Sequence, residues 1–383
     1  MRHQNSVFHG LLKQVPWSCF DKLVDEYGAD RGVRRLSTKS QLIALLYGQL
    51  AGASSLREIE TALASHGAQL YHLGAGEISR STLADANGRR AHEVFSGLFA
   101  RMAAQAGRGL RRSTAEAVRL IDSTGVRLAG LAADWARFSI GVCGAKAHIV
   151  YDPDADAPLY LSVTPARTND IVAARQMPIE PGATYVFDLG YYDFAWWARL
   201  DAAGCRIVTR LKANTPLEPI AERRLPEGSP LVHDRIGRLP ARQAASRQNP
   251  FDKPLREIGV RLDDGKLLRV ACNDLDAPAD EIAALYRRRW AIELFFRWVK
   301  QTLRIKHFLG RSENAVRIQI AVALIAYLLL RLAKDATTIV ESTLAFARLV
   351  RVNLMHKRDI NGLLRPPDIP ADKRQLSFQL ANP

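Results

Sequence analysis

The chain has 383 residues, a formal net charge of +15 and a pI near 9.9, with 48% apolar and 24% charged residues. That length allows two or three domains with real cores, and the positive charge predicts a polyanionic partner, most commonly nucleic acid. Cys19, Cys143, Cys205 and Cys272 stand far apart with no C-x-x-C pair, which argues against a zinc module or a disulfide framework and for a reducing cytosol. The longest unbroken apolar run, Ile320 to Leu330, is short of the roughly 20 residues of a membrane span, and the N-terminus has no apolar signal core. A soluble, intracellular protein without a membrane partner is expected.

In residues 1–112, Ser37 and Thr38 can cap a helix through QLIALLYGQL, and Ser55 with Glu58 forms a capping box opening LREIETALA. A third helix is predicted to start within Ser79–Thr82 and to continue through His92 to Met102. Hydroxyl residues and arginines at a helix start suit phosphate contacts. The long 65–77 segment before it leaves both a groove-reading motif and a plain basic bundle open. GRGLRRS (107–113) reads as a linker, so 1–112 is expected to be an all-α DNA-binding domain.

From 113 to 213 the pattern changes to strands. VRLIDSTGVRLA (118–129), AKAHIVYD (145–152) and PLYLSVTPA (158–166) read as a meander, with the Asp-rich turn 152–156 between the last two. NDIVAARQM then reads as a helix, ATYVFD (183–188) as a buried strand, DFAWWARLDAAG as a helix and CRIVTRLK as a strand. This is the order of a ribonuclease-H-like α/β core. In that order the middle of the first strand lies beside the end of the strand closing with Asp188, so Asp122 and Asp188 can share a metal. A lone Asp at a strand end commonly forms a turn or caps a helix. Asp122, however, sits inside an apolar strand, where an unpaired carboxylate would be costly, and a metal would account for it. Phosphoryl transfer needs such oxygen ligands for Mg²⁺ or Mn²⁺, often two ions roughly 3.5–4 Å apart. Asp193 is expected to cap the next helix.

Residues 214–279 are rich in Pro and Arg but keep returning apolar residues at strand spacing, as in PLREIGVRL and KLLRVACNDL, and read as a β-rich insertion. Its only aromatic residue, Phe251, could stack on a base. The stretch 281–306, EIAALYRRRWAIELFFRWVKQTLRIK, reads as one helix. Tyr286, Arg289, Glu293, Arg297, Lys300 and Arg304 fall on one stripe about 80° wide. Leu285, Ile292, Phe296, Val299 and Leu303 form the adjoining buried face. Arg289, Glu293 and Arg297 at i, i+4, i+8 could also be an ordinary salt-bridge ladder. Trp290 and Trp298 lie off the stripe and are expected to pack. The segment 318–332 is predicted to be a buried helix. Residues 280–335 would thus complete the core, with 336–383 as a partly helical C-terminal region.

The spacing Tyr286-x2-Arg289-x3-Glu293-x6-Lys300, preceded by IDSTGVRL around Asp122 and VFDLGYYDFA around Asp188, resembles the Y-R-E-K signature of DDE transposases of the insertion-sequence-four family. The resemblance spans about 36–332. It implies a DNA transposase acting by cut-and-paste, with Asp122, Asp188 and Glu293 as catalytic metal ligands for two Mg²⁺ or Mn²⁺ ions; the alternatives are a ribonuclease-H-like metal nuclease that cuts without strand transfer and a catalytically silent DNA-binding protein. It implies DNA contacts for Tyr286, Arg289 and Lys300, with Arg297 and Arg304 on the same stripe. It further implies terminal inverted repeats and target duplex as partners, a homodimer on DNA and a cytoplasmic, nucleoid-associated location. Some relatives hold a flipped base with a tryptophan in the insertion, and 214–279 has none.

Overall fold

A computed structural model describes residues 5–110, 116–128, 134–139, 142–225, 229–244, 247–303, 310, 312–337 and 342–363. The front of the chain is helical: α1 (Val7–Leu12), α2 (Trp17–Glu26), α3 (Thr38–Ala51), α4 (Leu56–Ser65), α5 (Gly67–Leu73), α6 (Arg80–Arg89) and α7 (His92–Leu110). The expected caps form. Ser37 Oγ accepts from the Ser40 amide and Ser55 Oγ from the Glu58 amide, each satisfying an end donor worth about 1 kcal/mol. Glu58 closes its box one residue early, accepting from Ser54 at 2.7 Å.

Three expectations here are corrected. Helix α5 occupies part of the supposed connector 65–77. The single helix expected from Ser79 to Met102 is two, because Arg90 is extended (φ −73°, ψ 141°) and its buried guanidinium donates to Gln41 Oε1 at 3.1 Å and to the Leu36 carbonyl. Helix α7 runs through Leu110, into the expected linker, while 111–113 lie outside the described residues.

The middle of the chain supplies β1 (Val118–Leu128), β2 (Arg137–Ser139), β3 (Val142–Asp152), β4 (Ala157–Pro165), α8 (Asp170–Ala174), β5 (Thr184–Val186), α9 (Phe194–Ala202) and β6 (Arg206–Arg210). Then come β7 (Glu218–Glu222), β8 (Leu231–Arg238), β9 (Arg242–Ala244), β10 (Arg247–Gln248), β11 (Leu255–Arg261) and β12 (Leu267–Cys272), followed by α10 (Ala279–Arg288), α11 (Trp290–Thr302), α12 (Glu313–Asp335) and α13 (Thr343–Asn353).

One large mixed sheet runs β2-β3-β1-β5-β6-β12-β11-β8-β7, with β4 also paired to β3. Strands β1, β5 and β6 are mutually parallel, β3 is antiparallel to β1, and β12 joins β6 antiparallel. The β-rich stretch after residue 213 therefore continues the sheet through β12, β11, β8 and β7. Alternation along the strands feeds two cores. Leu120, Ile149 and Tyr151 face α11 and α12, whereas Ile121, Tyr185, Phe187 and Ile207 pack with Trp196 and Trp197 of α9. Phe251 is buried in that second core against Trp197, at 6.5 Å between ring centroids, so the expected base-stacking role is withdrawn.

The buried helix expected at 318–332 is α12, which extends further at both ends. By length and composition it could cross a membrane, but 89% of its apolar window is buried inside the protein.

Candidate active site

Strand β1 is buried up to Ile121 and opens at Asp122. The parallel pairing of β1 with β5 ends at Leu120↔Val186. Asp122 and Asp188 each follow that last pair by two positions, so the middle of β1, which runs on to Leu128, lies beside the carboxyl end of β5, from which Asp188 comes. Asp122 Oδ1 accepts from the Ser123 amide at 2.7 Å, and Asp188 Oδ1 from the Gly190 amide at 2.8 Å. Asp193 caps α9 as expected, accepting from the Trp196 amide at 2.8 Å.

The third carboxylate arrives on α11. The expected continuous helix over 281–306 is corrected to α10 and α11, interrupted at Arg289. There the Arg289 amide bonds the Tyr286 carbonyl at 3.1 Å and the Ile292 amide bonds the Arg289 carbonyl at 3.2 Å, a tighter three-residue turn. The backbone stays right-handed (φ −53°, ψ −29°). Helix α11 stops at Thr302, whose carbonyl takes the Arg351 guanidinium at 2.5 Å.

The apolar face is as expected: Leu285, Ile292, Phe296, Val299 and Leu303 are all buried. Phe295 adds to it, packing on Tyr151 at 4.9 Å and Tyr327 at 5.0 Å between centroids. An Arg288–Asp154 ion pair at 2.6 Å ties the end of α10 to the β3–β4 turn.

At the interruption Arg289 is the hub. Its guanidinium donates to Glu293 Oε1 at 2.6 Å, stands 3.8 Å from Asp122 Oδ2 and lies 5.8 Å from the Tyr286 ring centroid. Its Nε has no hydrogen-bond partner among the described residues. Burial pushes the Asp122 carboxyl up to about 7; Asp188 and Glu293 push the same way, against the Ser123 amide and Arg289. Burial also raises the Tyr286 hydroxyl, opposed by Arg289 and Arg210.

The structure thus brings Asp122, Asp188, Glu293, Arg289 and Tyr286 into one electrostatic unit. Lys300 lies further along α11 beside Thr124 and Val126 of β1, Arg297 is exposed, and Arg304 lies outside the described residues. Trp298 packs on Tyr327 at 4.9 Å. Trp290 does not pack: it is 53% exposed, on the side of α11 away from the buried Ile292 and Val299. Among the described residues no three His, Cys, Asp or Glu side chains stand at metal-ligand spacing. The cation between Asp122 and Glu293 is Arg289.

Sequence reading missed Asp170, at the start of α8. Its Oδ1 accepts from Ser123 Oγ and Lys146 Nζ, each at 3.0 Å, with His148 Nδ1 3.8 Å away. Its Oδ2 lies beside Gly190, where an added Cβ would meet both Asp170 Oδ2 and Asp188 Oδ1 at 3.0 Å. Asp170 therefore touches the neighbours of both aspartates. The fully buried His148, its pKa lowered to about 4 by burial, bonds Thr164 Oγ1 through Nε2 at 2.8 Å. The available signal was Lys146 and His148 alternating in AKAHIVYD on a strand paired to β1.

Carboxylates from the middle of β1 and from just beyond the end of β5, faced by a helix bearing Glu and Arg, have the donor chemistry of phosphoryl-transfer sites. Comparison with known proteins gives the family: residues 113–329 match the Transposase DDE domain, and the chain belongs to the DDE transposases. Residues 3–76 match a domain of unknown function found in other proteins. A transposase of Sinorhizobium fredii is 41% identical over 77% of this chain and 85% of its own length. A transposase of an insertion sequence element from Geobacillus stearothermophilus is 30% identical over 71% of this chain and 72% of its own. A solved piggyBac transposase synaptic complex with hairpin DNA covers 95% of this chain and 81% of its own, with TM-score 0.45 and 11% identity, too distant to define the fold. The protein is a DNA transposase, an enzyme that cleaves DNA and transfers strands. Its family works with divalent metal ions.

Proposed function

We propose that Asp122, Asp188 and Glu293 are the catalytic carboxylates of a ribonuclease-H-like core in the Y-R-E-K branch of the insertion-sequence-four family. The observation that carries this is the convergence of carboxylates from β1 and α11 on one cation position, now held by Arg289. The strand order β4-β3-β1-β5-β6, with β1, β5 and β6 parallel, supports the core assignment. In this reading 1–112 is the DNA-binding domain, 113–213 and 280–335 build the core, 214–279 is the β-rich insertion and 336–383 the C-terminal region.

The donor set fits hard divalent cations, being all carboxylate oxygen; burial, with Asp188 and Glu293 adding to it, disfavours the charged form of Asp122, and a bound cation would favour it. Two Mg²⁺ or Mn²⁺ ions held by Asp122, Asp188 and Glu293 would activate the attacking oxygen and stabilise the leaving one. Arg289 and Lys300 take phosphates on either side of the scissile bond, by charge-assisted hydrogen bonds. Tyr286 supports Arg289 from behind, while Arg297 and Arg304 extend the cationic track. At each element end water attacks the phosphodiester, breaking its P–O3′ bond to leave a 3′-hydroxyl on the element and a 5′-phosphate on the flank; that hydroxyl then attacks a target phosphodiester in line, joining to its phosphorus as the target's 3′-oxygen leaves as a hydroxyl. A homodimer on the nucleoid bridges two terminal repeats.

The test is a labelled duplex carrying the terminal repeat, incubated in Mg²⁺ or Mn²⁺ with the wild type, Asp122→Asn and Glu293→Gln. Nicking at the repeat boundary followed by joining, absent in both variants, is expected. Cutting that persists in either variant would remove that residue from the site.

A further inference from the structure

A cleft of about 740 Å³ lies far from the carboxylates in the chain, between the 27–36 loop and α6. The loop is built, not slack. Gly28 and Gly32 adopt left-handed φ of +56° and +74°, a conformation that glycine takes without strain. Asp30 pins the loop to the start of α3, accepting from both the Thr38 amide and Thr38 Oγ1 at 2.7 Å. The floor includes Arg90, whose buried guanidinium is engaged by Gln41 and Leu36.

The walls differ from that floor. Arg31, Arg34 and Arg35 from the loop and Arg89 from α6 are exposed, and none of them is ion-paired to a described residue. Asp85 is the one carboxylate among the described lining residues. With Arg90 paired to Asp30 at 3.9 Å, the other four arginines of the lining face only Asp85, an excess of positive charge in a concave surface that attracts a polyanion. The α6 N-terminus, where phosphate contacts were expected, already has partners: Ser79 Oγ accepts from the Thr82 amide and Glu60 from the Arg80 amide. The unspent positive charge lies instead on the loop and at the far end of α6.

We propose that this cleft is a duplex-DNA site in which Arg31, Arg34, Arg35 and Arg89 hold the sugar–phosphate backbone without reading bases. The proposal rests on the reading of 1–112 as DNA-binding. DNA is favoured over a small phosphate because the guanidinia are spread over two walls and the enzyme's substrate is DNA. Phosphate contacts set register and affinity but carry no sequence information.

The experiment is fluorescence-anisotropy binding of the full chain to a terminal-repeat duplex and to an unrelated duplex of equal length, across a salt series. Each phosphate-bound cation adds about 0.9 to the slope of log affinity against log salt. Arg34→Ala/Arg35→Ala/Arg89→Ala should lower that slope by about 2–3 and weaken both duplexes by the same factor, roughly tenfold or more. The triple lysine replacement should restore the slope, since Lys also binds phosphate as a point charge. An unchanged melting temperature in the alanine variant excludes misfolding as the cause. Unchanged affinity and slope in that variant would overturn the proposal while leaving the catalytic assignment untouched. Selective loss on the terminal repeat alone would also overturn it, by pointing to base reading.

Discussion

The sheet treats its carboxylates in opposite ways in two regions. In its β8–β11–β12 extension the two buried carboxylates among the described residues, Asp234 and Glu257, are both matched. Arg256 donates to both oxygens of Asp234 at 2.7 and 2.6 Å, and Arg269 donates to both oxygens of Glu257 at 2.7 and 2.8 Å, with His233 Nε2 3.0 Å from the same group. Burial acts to raise the Glu257 carboxyl, yet Arg269 and His233 together hold it below its usual range. At the β1–β5 end Asp122 has one amide and a guanidinium 3.8 Å away, and its carboxyl sits near 7. On the proposed reading, the same sheet spends its cations where it needs rigidity and withholds them where a metal ion would bring charge.

The largest effect that tests this contrast is catalytic. Asp122→Asn, Asp188→Asn and Glu293→Gln should each slow end cleavage by on the order of 10³-fold or more, while chemical denaturation finds none of them less stable than the wild type, and Asp122→Asn more stable above about pH 7. Next, Arg256→Met strands Asp234 and should cost about 3–5 kcal/mol of stability, with cleavage per folded molecule unchanged. A variant in the extension that lost activity but kept stability would dissolve the distinction.

A smaller effect follows from pH. Asp122, raised in the folded state, favours folding while protonated. That contribution is fully present below its unfolded value near 3.9 and is lost as pH rises through about 7, amounting to a few kcal/mol. Glu257 runs the other way: its contribution is present above its unfolded value near 4.3 and is lost as pH falls through its lower folded value. Divalent metal relieves the Asp122 penalty, so about 10 mM Mg²⁺ should raise the melting temperature more at about pH 8 than at about pH 6. Asp122→Asn should abolish the difference.

Much of the acidic site was legible in the chain. Asp122 inside an apolar strand, Asp188 at a strand end and Glu293 on an amphipathic helix are local patterns, and periodicity reports them. The burial of Leu285, Ile292 and Phe296 followed from the same wheel. What escaped depended on tertiary contact. No periodicity shows that Arg289 leaves the helical ladder, and Trp290, expected to pack, is exposed. Phe251 looked available because its burial partner, Trp197, is far away in sequence. The arginine cleft was divided between a loop and α6, and only the folded 27–36 turn brings its walls together.

Asp170 offers the smallest and most discriminating prediction, because it belongs to neither class. It is paired with Lys146, like the carboxylates of the extension, yet it lies against both aspartates of the site through Ser123 and Gly190. If it positions them, Asp170→Asn removes the charge that holds Lys146 and weakens the hold on Ser123 while keeping the shape. Outer-shell changes of this kind typically cost 10–100-fold in metal affinity or activity, and the exposed edge of this one argues for roughly tenfold. Mn²⁺ binding followed by electron paramagnetic resonance should weaken by about that factor, with duplex binding and melting temperature unaltered. Gly190→Ala should act in the same direction, since its Cβ would press on Asp170 Oδ2 and Asp188 Oδ1 together. Should both variants bind Mn²⁺ and cleave like the wild type, Asp170 belongs with the structural pairs, and the under-matched part of the sheet narrows to Asp122, Asp188 and Glu293.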